Sequence, residues 1–468
     1  MIYHTLKKVL NIKFDIVDLT ALKEDDQMMD KKLLEIGMRH GRAKMEKRKL
    51  KVLQLGKQYY PHIGGIEATM QQIAEGIQGE VDSCVLASQG RGAAYTKVIN
   101  GVPVYFAKSL GIIASLPVSW DLVRYLQKHA FEYDVIHLHM PFPLGDLACL
   151  LSGYKGKLVL YWHSDIVRQK KAMLFYKPLM NWTLRRADAI AIATKGNIDG
   201  SPYVKPFEDK CVLIPFGLRK AWEEKSDLYW EQKTRQGQES GLEQESYLRQ
   251  EDGLVEESCP RRKKEQVSDQ LQKEQPPCKL RLLFIGRLVY YKGCSILMDA
   301  MKRLKKELGE KISQVELVIV GTGVLESEMK DQAKQAGLDK IIHFLGRASD
   351  KRLEKELERC DVLVFPSIAN SEAFGLVQLE AMSYGKPVIN TSLPTGVPWV
   401  SLDKETGLTV PPEDSKALFK AILWMKRNPE ECKRMGERAR QRVKTEFSQK
   451  KMLEQILKLY KELCGQSL

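Results

Sequence analysis

The sequence predicts an α/β protein with two doubly wound domains, each a parallel sheet flanked by helices. Three observations carry this. Short β-rich runs alternate with helical patterns in both halves of the chain, the order that parallel crossover units produce. Several runs, such as Leu-Val-Ile-Val at 317–320 and Val-Leu-Val-Phe at 362–365, are apolar without a break, as strands become when helices cover both sheet faces. Finally, 468 residues exceed what a single core organises.

In the first half the strands are expected at 51–55, 84–87, 135–138, 158–161, 189–193 and 211–214. In the second they are expected at 282–285, 316–320, 342–344, 362–365, 388–390 and 407–410. These fall into domains at 49–221 and 279–448, followed by a helical segment at 449–468. In that segment Met452, Leu453, Ile456, Leu457, Tyr460 and Leu463 make one apolar stripe that must pack on something, with the first domain as a candidate. Residues 222–278 are rich in Glu, Gln, Lys and Arg with little apolar periodicity, and are expected to form a disordered or loosely helical insert. Residues 1–48 form an N-terminal extension whose end, Gly-Met-Arg-His-Gly-Arg-Ala-Lys-Met-Glu-Lys-Arg-Lys, is strongly basic. It suits either a solvated arm or an anchor to an anionic surface.

Composition narrows the class. Hydrophobic residues are 43% and charged residues 29%, a globular balance that excludes collagen, coiled coil and general disorder. No run approaches the roughly 18 uncharged apolar residues of a membrane span, and the first residues lack the apolar stretch of a signal peptide. Nine cysteines without CxxC pairs read as reduced thiols of a cytoplasmic protein. Net charge is +14, yet the stretch 223–277 carries fourteen acidic and nine basic groups, so the remainder stands at +19. That surplus favours a polyanionic partner: nucleic acid, an anionic membrane or a phosphorylated substrate. No RNP, helix-turn-helix or zinc motif supports nucleic acid. Between 167 and 186, Arg168, Lys170, Lys171, Lys177, Arg185 and Arg186 interleave with Met173, Leu174, Phe175, Leu179, Met180 and Trp182. This fits a helix lying on anionic lipid at the inner face of the plasma membrane, or a core helix with a basic outer face.

Candidate chemistry sits where strands end. Tyr-Tyr-Pro-His-Ile-Gly-Gly-Ile-Glu at 59–67 follows the first strand. Gly64 and Gly65 would let the backbone approach a ligand at a helix N-terminus, although a plain tight turn uses the same residues. His137 and His139 end one strand and His163 ends the next, beside Ser164 and Asp165. A structural role suits His137, whereas His163 is placed for a ligand, at the carboxyl edge where open α/β sheets gather them. The His137–His139 spacing lacks a matched third metal ligand.

In the second half, Gly-Arg-Leu-Val-Tyr-Tyr-Lys-Gly at 286–293 sets Arg287 and Lys292 at a strand's carboxyl end, a fork and a point charge suited to a diphosphate. Gly321-Thr322-Gly323 lacks the third glycine of a dinucleotide fingerprint, which argues against a nicotinamide cofactor. The segment Pro-Ser-Ile-Ala-Asn-Ser-Glu-Ala-Phe-Gly-Leu-Val-Gln-Leu-Glu at 366–380 places Glu372 on a loop and Glu380 two turns into a helix, with Gly375 freeing amides for an anion. An acidic first helical turn accounts for Glu372 alone but not for Glu380 among apolar neighbours, where a carboxylate needs a partner.

These last motifs, with Thr-Gly-Val-Pro-Trp-Val at 395–400 and Glu-Thr-Gly-Leu-Thr-Val-Pro-Pro-Glu-Asp at 405–414, resemble the donor domain of the retaining glycosyltransferase family 4. Tyr-Tyr-Pro-His-Ile-Gly-Gly-Ile-Glu, Asp-Val-Ile-His-Leu-His-Met-Pro and Leu-Tyr-Trp-His-Ser-Asp-Ile-Val are similar to its acceptor-side domain. The resemblance implies the GT-B fold, two Rossmann-like domains facing across a cleft with the C-terminal helix crossing back. It implies that Arg287 and Lys292 hold the donor diphosphate with amides near Phe374, Gly375 and Leu376. Glu372 and His163 would meet the transferred sugar, Glu380 the nucleotide ribose, and Gly64 and Gly65 would lie near the diphosphate. Ala373 departs from the family, which often has Gly there.

The implied activity is retaining transfer of a hexose-type sugar from a UDP- or GDP-sugar to a glycan or lipid-linked acceptor in cell-surface polysaccharide or glycolipid synthesis. An epimerase or hydrolase of the same fold is the alternative. No metal or other cofactor is expected, since the chain has no Asp-x-Asp pair and its own cations can face the diphosphate.

Overall fold

The computed structural model describes residues 48–466 apart from 63, 114–115, 167–169 and 253–278, and of 113, 116, 170–172 and 237–252 only the backbone. The expected N-terminal extension, save Arg48, and the expected insert from 253 to 278 lie outside the described residues.

The first half runs β1 (Lys51–Gly56), α1 (Gly65–Gly76), β2 (Asp82–Ser88), β3 (Tyr95–Ile99), β4 (Val102–Ala107), β5 (Ile112–Ile113), β6 (Leu116–Pro117), α2 (Trp120–His129), β7 (Val135–Met140), α3 (Pro143–Ser152), β8 (Lys157–Trp162), α4 (Lys170–Arg186), β9 (Ala189–Ile192), α5 (Lys195–Asp199) and β10 (Cys211–Leu213). Its main sheet has the order β10-β9-β8-β7-β1-β2-β4-β3, while β5 and β6 pair separately. The main sheet is parallel except for β3 against β4.

A long helix, α6 (Lys220–Asp252), leads away from the first sheet. The second half then runs β11 (Leu280–Ile285), α7 (Cys294–Leu308), β12 (Val315–Val320), α8 (Glu326–Gln335), β13 (Ile342–Gly346), α9 (Asp350–Arg359), β14 (Val362–Val364), α10 (Leu376–Ser383), β15 (Val388–Thr391), α11 (Val397–Val400), β16 (Gly407–Val410), α12 (Ser415–Arg427), α13 (Pro429–Glu446) and α14 (Gln449–Leu463). Its all-parallel sheet has the order β13-β12-β11-β14-β15-β16. In both sheets the strand order reverses beside the opening strand, between β1 and β7 and between β11 and β14. That is the switch point where doubly wound sheets open a crevice at their carboxyl edge.

The two halves are tied where the chain passes between them. Leu218 N–H donates to Phe447 O at 2.7 Å and Lys220 N–H to Gln449 Oε1 at 2.7 Å, while Gln449 N–H donates to Glu223 Oε1 at 2.7 Å. Helix α14 then lies along the first half: Tyr460 reaches Gln54 and His137, and Leu453 fills the space over Gly76. One apolar cluster therefore runs through both halves, from Val52 and Tyr161 to Phe374, Phe447 and Ile456.

One expectation is corrected, and another is narrowed to one of its alternatives. The pair β3–β4 was not anticipated, although Asn100 and Gly101, with φ of 49° and 83°, form a hairpin turn whose Asn-Gly signal stands in the sequence. Of the two forms expected for the insert, disordered or loosely helical, 220–252 takes the helical one. Its average composition hides an anchor at helical spacing. Trp222 and Ser226 are buried, Tyr229 packs on the core, and Trp230 Nε1–H donates to Ser383 O at 3.1 Å. Arg440 and Lys233 lie over the Trp230 ring at 4.5 and 4.7 Å. Removing 223–277 would thus strip a packed helix from the second half.

Replacing a buried aromatic by alanine typically costs about 3–5 kcal/mol. Trp222→Ala is expected to lower the urea midpoint accordingly, and a wild-type midpoint would show that α6 is dispensable for the fold.

Candidate active site

In the second half the site is built by two loops that lock together. After β11 the chain makes a short turn at Tyr290–Lys292 and enters α7 through Gly293, whose φ is +71°. A Cβ there would fall 1.8 Å from Pro366 O, so only glycine lets this loop seat against the one after β14. Ile368 N–H completes the contact by donating to Tyr291 O at 2.8 Å. The result is an ion pair between Lys292 Nζ and Glu372 Oε2, with both side chains mostly buried. Ser367 Oγ donates to the same carboxylate oxygen at 3.3 Å. Arg287 is exposed beside this pair, its guanidinium 5.7 Å from the Tyr291 ring, and makes no ion pair among the described residues. The pairing leaves one net positive charge, on Arg287, and one lysine that can share its charge with an arriving anion.

Gly375 caps α10 in the left-handed region, at φ +79°, where a Cβ would strike the Phe365 ring at 2.6 Å. The preceding Phe374 is buried, edge-on to Phe216 at 5.0 Å and to Phe447 at 5.9 Å. Its ring is therefore part of the joint between the halves, and only its backbone is free to meet a ligand. Ala373 fits without strain, its carbonyl accepting from Asn197 Nδ2 at 2.9 Å and from Gly396 N–H at 2.7 Å. Glu380 finds the partner its apolar neighbours demand in Arg219, at 3.2 Å. Burial raises the Glu380 pKa and the Arg219 charge opposes that rise. Arg219 comes from the passage between the sheets, and no local spacing points to it.

The first half supplies the opposite wall. Gly64 caps α1 and Gly65 faces Leu376 at the start of α10, its missing Cβ position being 3.9 Å from Leu376 Cδ1. The glycine pair and the N-terminus of α10 are thus brought together across the cleft. His163, just past β8, is buried and lies flat against Phe216, with centroids 5.2 Å apart and planes 4° from parallel. Its Nε2 meets His139 Nδ1 at 2.9 Å. His137 is fully buried and bonded to Tyr460, the structural role that its position in the strand suggests. Asp165, two residues beyond His163, accepts from Trp162 Nε1–H at 3.0 Å and Ser201 Oγ at 2.7 Å. It borders a cavity of about 570 Å³ whose walls include Met173 and Tyr203 from one half and Asn370 from the other. Sequence reasoning passed over Tyr203 and Asn370, whose neighbourhood exists only after the halves meet. Among the described residues no cluster of three His, Cys, Asp or Glu could hold a metal.

The buried histidines set a pH dependence. Burial pushes His163 and His137 down to about 3, and His139 well below its ordinary 6.5. Below about 6.5 the unfolded chain binds protons that the folded chain refuses, so stability is full above that pH and falls as pH drops toward 3. Asp146, raised to about 7 by burial, works in the opposite sense. The urea midpoint of His163→Gln is therefore expected to decline less than that of the wild type between pH 7 and 5. Parallel declines would show that His163 is not held neutral by the fold.

With this geometry in view, residues 63–195 match the family Glycosyltransferase Family 4 and residues 266–442 match Glycosyl transferases group 1. The chain is 31% identical over 420 residues to the O-antigen chain mannosyltransferase C of Escherichia coli, covering 88% of this chain and 99% of that one. It is 30% identical over 402 residues to the D-rhamnosyltransferase WbpZ of Pseudomonas aeruginosa, covering 85% and 92%. Among solved structures, Anabaena HepE in complex with UDP superposes with a TM-score of 0.60 at 18% identity, over 88% of this chain and all of that one. Sucrose-phosphate synthase from Thermosynechococcus elongatus does so at 0.64 and 17%, over 89% of this chain and all of that one. Two facing doubly wound halves of this kind are the GT-B fold, and the chain belongs to the group 1, family 4 glycosyltransferases.

Proposed function

We propose that this glycosyltransferase moves a hexose-type sugar from a UDP- or GDP-sugar to a glycan or lipid-linked acceptor, with retention of configuration, in the synthesis of a cell-surface polysaccharide or glycolipid. The observation that carries the reading is the Lys292–Glu372 pair beside exposed Arg287, set opposite Gly64 and Gly65 at the carboxyl edges of two sheets. The relatives' names support it: one is a mannosyltransferase of O-antigen chains and the other a rhamnosyltransferase, while HepE holds UDP.

In this reading the diphosphate lies against Arg287, Lys292 and the amides that open α10 at Gly375 and Leu376. Glu380 reaches the ribose and Glu372 a sugar hydroxyl. As the anomeric carbon parts from the phosphate oxygen, the bonding pair leaves with the diphosphate, and the two cations stabilise the charge that develops. The acceptor hydroxyl bonds to the same face of that carbon and its proton passes to the departing phosphate oxygen, so no enzyme carboxylate need act as a nucleophile. The cavity beside Asp165 has room for an acceptor, which favours transfer over epimerisation or hydrolysis.

The reading extends to a peripheral membrane contact. On α4 the residues Met173, Tyr176, Met180 and Leu184 are buried at helical spacing, so most of its apolar side is core. Leu174 and Phe175, however, are 75% and 84% exposed. With Lys177 and Arg185 on the same helix they suit insertion into an anionic bilayer surface, whereas Arg186 is tied to Asp188 and to the carbonyls of Tyr154 and Gly156.

Two experiments test this. Radiolabelled sugar should appear on a lipid-extractable acceptor and survive excess EDTA. Glu372→Ala should lower turnover about 10- to 100-fold, and Arg287→Ala about 30- to 1,000-fold, without unfolding. Free labelled sugar as the sole product, or wild-type turnover in both variants, would overturn the assignment. Separately, co-sedimentation with anionic vesicles should weaken at high salt and in Leu174→Asp/Phe175→Asp; binding that ignores lipid charge would remove the membrane contact.

A further inference from the structure

Between β4 and α2 the chain runs Ser-Leu-Gly-Ile-Ile-Ala-Ser-Leu-Pro-Val-Ser-Trp, residues 109–120, without one charged side chain. An apolar run of this kind ordinarily enters a core, and this one stays at the surface. Leu110 is 74% exposed and Trp120 55%, and Ile112 and Val118 are exposed with them. The segment is nevertheless well braced. β5 and β6 pair antiparallel within it, Leu110 N–H donates to Val118 O at 2.9 Å, and Val118 N–H donates to Gly111 O at 2.9 Å. Two buried serines hold its base. Ser109 Oγ donates to Gly111 O at 3.0 Å, and Ser119 Oγ donates to Lys108 O at 2.6 Å while accepting from Leu122 N–H at 3.2 Å. The hairpin therefore keeps large apolar side chains in water on a fixed frame, a cost that a partner would remove.

We propose that this hairpin inserts into a lipid bilayer and forms, with Leu174 and Phe175 of α4, a two-point membrane-docking face. Topology puts the two on one side of the molecule. The crossovers β4–α2–β7, β7–α3–β8 and β8–α4–β9 all step the same way along the sheet, so right-handed connections lay α2, α3 and α4 on one face. Leu122, Ala148 and Met180, one from each helix, accordingly share a single apolar cluster. The hairpin follows the carboxyl end of β4 and the first turns of α4 follow that of β8, so both stand at the same edge of that face. Helix α3 lies between them, packed on β6 and on α4.

Charge selects the occupant. From 88 to 128 the chain carries five basic residues, Arg91, Lys97, Lys108, Arg124 and Lys128, and one acidic residue, Asp121. All five basic residues are exposed. The Asp121 carboxylate is engaged by Lys108 N–H at 2.9 Å and by the Tyr105 hydroxyl at 3.1 Å. Helices α3 and α4 add no exposed acidic side chain, because their one carboxylate, Asp146, is buried. A second copy of the chain seated here would bring two cationic rims together, whereas anionic head groups neutralise the rim while the acyl region receives the hairpin. Trp120 stands where the apolar hairpin meets Arg124, one helical turn on, and tryptophan is a residue that settles at head-group level. The inference deepens the membrane reading of α4 and uses no residue of the reaction centre. It turns the carboxyl edge toward lipid and so favours a lipid-linked acceptor.

The test uses full-length protein and vesicles of phosphatidylglycerol with phosphatidylcholine brominated on its acyl chains, which quenches tryptophan on contact. Wild-type fluorescence should be quenched, and Trp120→Phe should lose a large part of that quenching. Leu110→Ser/Ile112→Ser removes apolar surface that the fold leaves exposed, so it should keep the wild-type urea midpoint and weaken vesicle binding about 10- to 100-fold. Equal quenching in wild type and Trp120→Phe, or wild-type vesicle affinity in Leu110→Ser/Ile112→Ser, overturns the proposal. If Leu174→Asp/Phe175→Asp still loses binding in that case, the reading of α4 stands alone. Loss of binding in the serine variant but not in the aspartate variant keeps the hairpin as an insertion element and removes α4. Absence of binding to any vesicle overturns both. A dimer that forms without lipid and is abolished by Leu110→Ser/Ile112→Ser would assign the patch to a second copy and overturn the proposal as well.

Discussion

Everything in this molecule depends on the chain passing between its two sheets twice at one place. Leu218 and Phe447, Lys220 and Gln449, and Glu223 and Gln449 pair there through backbone and side-chain hydrogen bonds. Around them Phe216, Phe374, Phe447 and Trp399 pack edge to face, each pair within 6.0 Å being a contact of about 0.5–1.5 kcal/mol beyond the area it buries. This joint turns two carboxyl edges, each only half a site, toward one another. It also delivers Arg219 to Glu380 and the ring of Phe216 to the face of His163.

The site's electrostatics follow from how little water the joint admits. Lys292 and Glu372 neutralise each other in a mostly buried setting, where either charge alone would be costly. In the proposed reaction a diphosphate would draw on the lysine while Glu372, also held by Ser367, keeps a hydrogen bond of its own. On the opposite wall burial has the reverse consequence: three imidazoles are stripped of charge and join a neutral hydrogen-bonded chain. One wall therefore offers cations and the other offers neutral polar atoms, a division suited to a ligand that is anionic at one end and hydroxylated at the other.

Strands such as 315–320 and 362–364 were legible because burial on both faces writes an uninterrupted apolar run. The Asn100–Gly101 hairpin carried a readable turn signal and was still passed over, since β3 is exposed over most of its length and lacks such a run. The packing of the helix after Lys220 was hidden by its charge, because three aromatic anchors in a polar stretch barely alter its average composition. In the site, Arg287, Lys292, Glu372 and Gly375 were legible from glycine placement and charge at strand ends. Arg219, Gln54 and Tyr460 were not.

By itself the sequence determined the alternation of strands and helices, the two doubly wound halves and the loops on which charged and glycine residues stand. Those properties are written by neighbours along the chain: periodicity of apolar residues, glycines at positive φ and cations beside strand ends. Only the tertiary structure decided which loops face each other, which buried carboxylate meets Arg219, and how Tyr460 comes to touch His137 and Gln54 some 320 and 400 residues away. Contacts of that kind leave no local pattern, because each requires only that one polar side chain reach another after the sheets have closed around it, and a single buried hydroxyl on an apolar stripe reads in sequence as one more core residue.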